Sequence, residues 1–217
     1  MANPARFWNF IANRYAKRPI ADQATYEKKL EITRRYLTPE AKVLEFGCGT
    51  GSTALLHAPY VGELLAIDFS ERMIDIANGK LADQALNNLT FRQASIETLD
   101  QPDESFDAIL GLSVLHLLDD RDSVIKRVTR LLRPDGCFIS NTACLEDSIN
   151  RMRYLLPIGS ALGLLPRVRF FSTGNLLTAF ENAGLVIEQQ WQPAPGKALF
   201  VVARKPGAKP NAAGNDV

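Results

Sequence analysis

The stretch Val43-Leu44-Glu45-Phe46-Gly47-Cys48-Gly49-Thr50-Gly51 decides how this sequence is read. Lys42 to Phe46 is a short run suited to an extended strand, and Ser52 to His57 reads as a helix. Three glycines join them. Glycine admits left-handed backbone and lets a ligand approach without meeting a Cβ, and the first turn of a helix presents unpaired N–H groups. The G-x-G-x-G spacing differs from the dinucleotide pattern G-x-G-x-x-G, in which an extra residue shapes a pyrophosphate cradle. Taken alone, it describes a tight strand-to-helix turn.

Two acids sharpen that reading. Glu45 ends the strand two residues before the first glycine, where a carboxylate repels a pyrophosphate and suits a ligand carrying an ammonium group. Asp68 closes the next strand, Leu64 to Asp68, about 20 residues on. An acid there accepts hydrogen bonds from both ribose hydroxyls and repels a 2′-phosphate. The competing reading of Asp68 is a helix cap placed one residue early.

Outward from the turn, strands and helices alternate. Ser70 caps a helix with Met73, Ile74, Ala77 and Leu81 on one face. Leu89 to Gln93 and Phe106 to Leu112 are strands, Asp122 to Leu132 a helix, and Pro134-Asp135-Gly136 a turn into a strand at Cys137 to Asn141. Such alternation predicts an α/β fold with a parallel sheet covered on both faces. A helix from Thr173 to Ala183 stops at Gly184, and two strands, Leu185 to Trp191 and Ala198 to Arg204, follow without a helix between them. They pair most simply as an antiparallel hairpin. Upstream, Phe7 to Tyr15 and Tyr26 to Leu37 have helical spacing, separated by Pro19.

The run Val43 to Gly51, the strand end Ile67-Asp68, and Leu131-Leu132-Arg133-Pro134-Asp135-Gly136 resemble the motifs of class I S-adenosylmethionine-dependent methyltransferases, in particular the small-molecule and quinone-type branch. The resemblance covers residues 40–204 and implies a Rossmann-like three-layer sandwich whose mostly parallel seven-stranded sheet has its last strand antiparallel. It implies S-adenosylmethionine as cofactor. Glu45 and the turn (Phe46, Gly47, Cys48, Gly49, Gly51) would hold the methionine end, Asp68 the ribose, and Phe69 the adenine. Ser95 and Ile96 would flank the adenine amino group, although many members carry Asp where Ser95 stands. Leu112 and Ser113 would border the cofactor after the fourth strand. His116 would lie near the sulfonium, where a neutral imidazole could take a proton from the attacking group. A histidine bonded to backbone at a helix start is the alternative.

Composition narrows the rest. Hydrophobic residues make up 46% and charged residues 23%, an ordinary globular balance. Lys and Arg total 25 against 24 for Asp and Glu, a net charge of +1 that argues against nucleic-acid binding. Cys48, Cys137 and Cys144 form no C-x-x-C pair, and with two histidines no metal site is expected. Asp119 and Asp120 read as helix caps rather than magnesium ligands. His57 reads as a helix-end residue bonded to a carbonyl. No signal peptide or spanning segment is visible, so a cytoplasmic address is expected.

The acceptor walls are expected outside the cofactor sheet. One candidate is the N-terminal helical cap, residues 1–39, with Trp8, Phe10 and Tyr15. The other is the connection 142–171, whose Arg151, Arg153, Arg167 and Arg169 have no acid among them from Ile149 to Phe171. A connection this long reads as a helical lid over a small apolar or amphiphilic acceptor, as a segment touching a membrane surface, or simply as a helix packed on the sheet with a solvated basic rim. Residues 205–217 read as a disordered tail. The rivals are a non-catalytic S-adenosylmethionine binder and, further off, a nicotinamide-dependent dehydrogenase.

Overall fold

The structure, a computed structural model, describes residues 4–147 and 166–207. Helices α1 (Pro4–Ala16) and α2 (Gln23–Arg34) precede strand β1 (Lys42–Phe46). Then come α3 (Ser52–His57), β2 (Glu63–Asp68), α4 (Glu71–Ala82), β3 (Leu89–Gln93) and β4 (Phe106–Leu112). They are followed by α5 (Arg121–Leu131), β5 (Leu132–Thr142), α6 (Thr173–Asn182), β6 (Val186–Trp191) and β7 (Leu199–Arg204). Helix starts follow their caps: the Ser70 hydroxyl accepts the Met73 N–H at 3.2 Å, and the Asp120 carboxylate accepts that of Ser123 at 3.0 Å. Gly184, at φ +83°, ends α6 as its position predicts.

The seven strands order as β3-β2-β1-β4-β5-β7-β6. Pairing is parallel from β3 to β5, whereas β7 runs antiparallel to both β5 and β6. The Rossmann-like sheet and its reversed last strand therefore match expectation. Val43 to Phe46 is buried on both sides, as befits a central strand with helices on each face. Leu44, Phe46, Ile109 and Phe138 pack with Val128 and Phe180 on one face. Val43, Ala66, Leu110 and Val202 pack with Ile32, Ala54 and Ala77 on the other. Chain direction across the sheet reverses between β1 and β4, and ligands of open α/β sheets bind outside the carboxyl ends of strands at such a point.

One boundary differs. β5 begins at Leu132, which pairs with Phe106, and its register shifts before Ala108 pairs with Cys137. Pro134-Asp135-Gly136 is thus a bulge inside the strand rather than a turn before it. Pro134 has no N–H to give a ladder and Asp135 adopts φ +63°, so the extra residues bow outward and pairing resumes.

The long connection leaves and returns at one place. The Glu146 N–H donates to the Phe171 carbonyl at 3.3 Å, and the Asp147 carboxylate accepts the Thr173 N–H at 2.7 Å. The middle of the expected lid lies outside the described residues, as do Arg151, Arg153 and residues 208–217 of the tail. No described helix is long and apolar enough to cross a membrane.

Candidate active site

The turn after β1 places Gly47, Gly49 and Gly51 at φ +66°, +54° and +74°, all left-handed. Their surroundings divide them. A Cβ at Gly47 would lie 2.6 Å from the Val114 side chain, and one at Gly51 would lie 2.5 Å from Phe91 and 2.8 Å from Ala77. Those two glycines let the protein pack on itself. Gly49 faces open space, meeting only the Tyr15 ring at 3.8 Å. The far limb is tied down by Lys80 of α4, whose ammonium donates to the Thr50 carbonyl (2.9 Å), the Thr50 hydroxyl (3.0 Å) and the Ser52 hydroxyl (2.9 Å).

Asp68 stands beside Gly49. Its carboxylate accepts the Gly49 N–H and the Ser70 N–H, each at 2.9 Å. The cap reading and the ligand reading of Asp68 are therefore compatible, because each oxygen keeps lone pairs after one backbone bond. Burial pushes this carboxyl up and the two N–H donors oppose the shift. Glu45 is 2% exposed, and its Oε2 has no hydrogen-bond partner among the described residues. Burial alone raises its pKa to about 8, so it is largely protonated at neutral pH.

At the carboxyl end of β4, Ser113 adopts φ +59°, a strained conformation for a residue with a side chain. Its N–H donates to the Asn141 carbonyl at 2.7 Å, and its hydroxyl accepts from the Asn141 amide at 3.1 Å. His116 follows on a short 3-10 turn, Leu115–Leu117. Its Nδ1 is buried without a partner among the described residues, and burial lowers its pKa to about 4, leaving the imidazole neutral.

Residues 43–136, from β1 into the β5 bulge, match the family model described as a methyltransferase domain. An uncharacterized methyltransferase of Bacillus subtilis, YcgJ, is 35% identical over 100 residues, covering 46% of this chain and 40% of its own. A demethylmenaquinone methyltransferase of Lactobacillus johnsonii is 33% identical over 97 residues, covering 43% and 40%. The chain thus spans about 40% of the length of these curated relatives. The crystal structure of YcgJ superposes with a TM-score of 0.67 at 21% identity, covering 84% of this chain and 100% of that one. The [4+2]-cyclase SpnF superposes with a TM-score of 0.73 at 18% identity, covering 88% and 84%, which speaks for the fold alone.

S-adenosylmethionine is the expected cofactor of such a methyltransferase domain, and the residues present fit it. Glu45 offers an orphaned buried oxygen to an ammonium group, Gly49 an uncrowded backbone, and Asp68 free lone pairs to hydroxyls. Of the residues named from sequence, Glu45, Gly47, Cys48, Gly49, Gly51 and Asp68 gather at this one sheet edge. Phe46 points its ring into the core, 6.1 Å from Phe138 between ring centres, so only its backbone can face a ligand. The Cys48 thiol is also buried and donates weakly to the Gly49 carbonyl at 3.7 Å. Phe69 is half-buried, and Gln93 donates to its carbonyl at 3.2 Å. Ser95 hydrogen-bonds Glu97 at the end of β3, whereas the Ile96 side chain belongs to the core. Leu112 packs from the opposite core face as a half-buried residue.

Several finer expectations change. Asp120 caps α5, but Asp119 pairs with the Arg169 guanidinium at 2.5 Å, so that arginine does have a counter-acid. The His57 ring is wholly buried, and neither nitrogen has a partner among the described residues, so it bonds no carbonyl there. Among the described residues the His116 ring makes no backbone bond; its own carbonyl accepts the Arg169 N–H at 2.8 Å. Phe10 is 87% exposed. Sequence reasoning also missed Lys80. A lysine three residues past the inward Ala77 reads as a solvated helix face, and only the fold brings it under the turn.

Proposed function

We propose that this chain transfers a methyl group from S-adenosylmethionine to a small apolar or amphiphilic acceptor. The observation that carries the reading is Asp68 fixed by the Gly49 and Ser70 N–H groups beside the unpaired oxygen of Glu45. A zwitterionic nucleoside matches that pair of acids, and a pyrophosphate does not. When bound, the cofactor supplies an activated methyl on sulfur. The protein's task is then to hold a nucleophile in line and remove its proton, and orientation alone can contribute on the order of 7–11 kcal/mol.

His116 is the residue we assign to the proton. It follows β4 at the reversal point of the sheet, and burial keeps it in the neutral form a base needs. His116→Ala should lower kcat by roughly 10²–10⁴ with the cofactor dissociation constant near wild type. Unchanged turnover, with chemistry rate-limiting, would return His116 to a packing role.

For the acceptor we favour an apolar ring compound. Support comes from the demethylmenaquinone methyltransferase among the relatives and from the apolar, basic composition of 149–171, whose base is pinned beside His116 by Arg169. We assign 142–171 as the acceptor lid; contact of its arginines with a membrane surface is the secondary part of this reading. S-adenosylhomocysteine formation across a panel of quinol, phenol, amine and carboxylate acceptors tests it. Turnover of quinols or phenols is expected. Cofactor binding with no product from any acceptor would instead favour a non-catalytic binder.

A further inference from the structure

The carboxyl ends of β4 and β5 carry a polar pair apart from the glycine turn. Ser113, just past β4, sits at φ +59°, which a residue with a side chain holds only when its surroundings impose it. Asn141 of β5 imposes it with two bonds. Its backbone carbonyl accepts the Ser113 N–H at 2.7 Å, and its side-chain amide donates to the Ser113 hydroxyl oxygen at 3.1 Å. Asn141 is 8% exposed, and its Oδ1 has no partner among the described residues. A buried amide oxygen left so is destabilising, and a ligand donor placed there would relieve it. Ser113 is exposed, its oxygen already receives a hydrogen bond, and its own proton goes to nothing among the described residues. The pair therefore presents one acceptor and one donor. Turning the amide over exchanges which residue supplies each and leaves the same pair.

Strand register locates the pair. Glu45 of β1 lies opposite Leu110 of β4, and Leu110 opposite Ile139 of β5, so these three side chains share one face of the sheet. Asn141, two residues past Ile139, is on that face too. From Glu45 it stands two strands across and two residues nearer the carboxyl edge, about 12 Å from Cα to Cα by strand spacing and rise. A cofactor over the ends of β1 and β2 leaves the ends of β4 and β5 to the acceptor. His116, three residues past Ser113, holds the base of the long connection to that same edge through the Arg169 N–H. One amide group carries the free Oδ1 and also donates to Ser113, so the open acceptor and the open donor lie an amide width apart. A single hydroxyl, which both donates and accepts, can bridge them, whereas a ketone or ether oxygen can answer only the donor.

We propose that Asn141 and Ser113 seat a hydroxyl of the acceptor, one other than the atom that takes the methyl, and so select acceptors that carry this second hydroxyl. This rests on the reading of the chain as a methyltransferase acting on ring compounds. The test compares kcat/KM for hydroquinone with that for phenol, which lacks the second hydroxyl, and reads S-adenosylhomocysteine affinity by calorimetry. Wild type should favour hydroquinone by about tenfold or more, because phenol leaves the buried amide oxygen unpaired. Asn141→Leu, close in size and unable to hydrogen-bond, should bring that ratio near one. Its S-adenosylhomocysteine dissociation constant should stay within about twofold of wild type, since the pair lies well away from Glu45. Ser113→Ala keeps the backbone bond to Asn141 and should lower the ratio too, which preserves the test if Asn141→Leu does not fold. A wild-type ratio near one, or a ratio that survives these substitutions, would overturn the assignment. So would a matching loss of S-adenosylhomocysteine affinity in Asn141→Leu, which would make the residue a prop for the whole site. A wild type that binds S-adenosylhomocysteine and turns over neither ring would remove the acceptor reading itself, and this inference with it.

Discussion

Glu45 holds an unusual position for an acid: 2% exposed, on β1 just before the glycine turn, with one oxygen unpartnered among the described residues. Its folded pKa of about 8 lies above the ordinary value of 4.5, so the folded protein binds a proton that the unfolded chain releases. Its contribution to stability is therefore fully present below about pH 4.5 and is lost as pH rises through about 8. An arriving ammonium group reverses the preference and draws the acid into its charged form. S-adenosylhomocysteine binding near pH 7 should accordingly release a proton, read by calorimetry in two buffers of different ionisation enthalpy. Glu45→Gln should abolish that release and flatten the fall in Tm between about pH 5 and 8. No difference between the buffers in the wild type would mean that Glu45 is not the ammonium partner. Glu45, Gly49 and Asp68 were legible in the sequence because strand ends beside a glycine turn have few other uses. Tyr15 was legible only as an aromatic in a helix, since nothing local says which way a helix 30 residues away will face.

The turn and α4 behave as one element. Reading the sequence credited all three glycines with room for a ligand, yet two of them serve packing, and the substitutions should separate accordingly. Gly51→Ala combines left-handed strain of about 1–2 kcal/mol with overpacking of about 1–3 kcal/mol against Phe91 and Ala77, a total of about 2–5 kcal/mol. Gly49→Ala carries only the strain, about 1–2 kcal/mol, because its Cβ meets nothing nearer than 3.8 Å. Urea unfolding should thus rank Gly51→Ala as the more damaging, while calorimetry should find cofactor binding lost from the stable Gly49→Ala protein. The reverse ranking would show that the split between packing and ligand has been drawn wrongly. Strand and helix positions along this element were readable from periodicity and caps. The division of labour among the glycines was not, since Phe91 and Ala77 reach Gly51 only through the parallel β2–β3 pairing and the return of α4.

Across the whole molecule, one core face runs from the site to its far side through stacked rings. Phe138 stands between Phe46 and Phe180, its plane within 10° of the Phe180 ring at 5.1 Å. Phe180→Ala should cost about 3–5 kcal/mol in denaturant unfolding while the cofactor dissociation constant stays near wild type. A matching loss of cofactor affinity would mean that the stack transmits strain to β1 and would contradict the separation drawn here. The parallel sheet was foreseen from the alternation of strands and helices, and the reversed β7 from the missing helix before it; the order of the strands was not. The bulge at Pro134 was not, because a Pro-Asp-Gly run reads equally as a turn, and only pairing with Phe106 decides.

The position of β7 has a temporal consequence. It is hydrogen-bonded between β5 and β6, yet it is the last of the seven described strands to be synthesised. While the ribosome is still extending the chain, Cys137 to Thr142 can already pair with β4 but must wait for Leu199 to Arg204 on its other side. Throughout that interval an apolar strand shows a bare row of backbone donors and acceptors, the geometry that recruits foreign strands. The nascent protein is therefore most prone to clump after residue 142 has emerged and before residue 204 has, and a holding chaperone would matter most in that window.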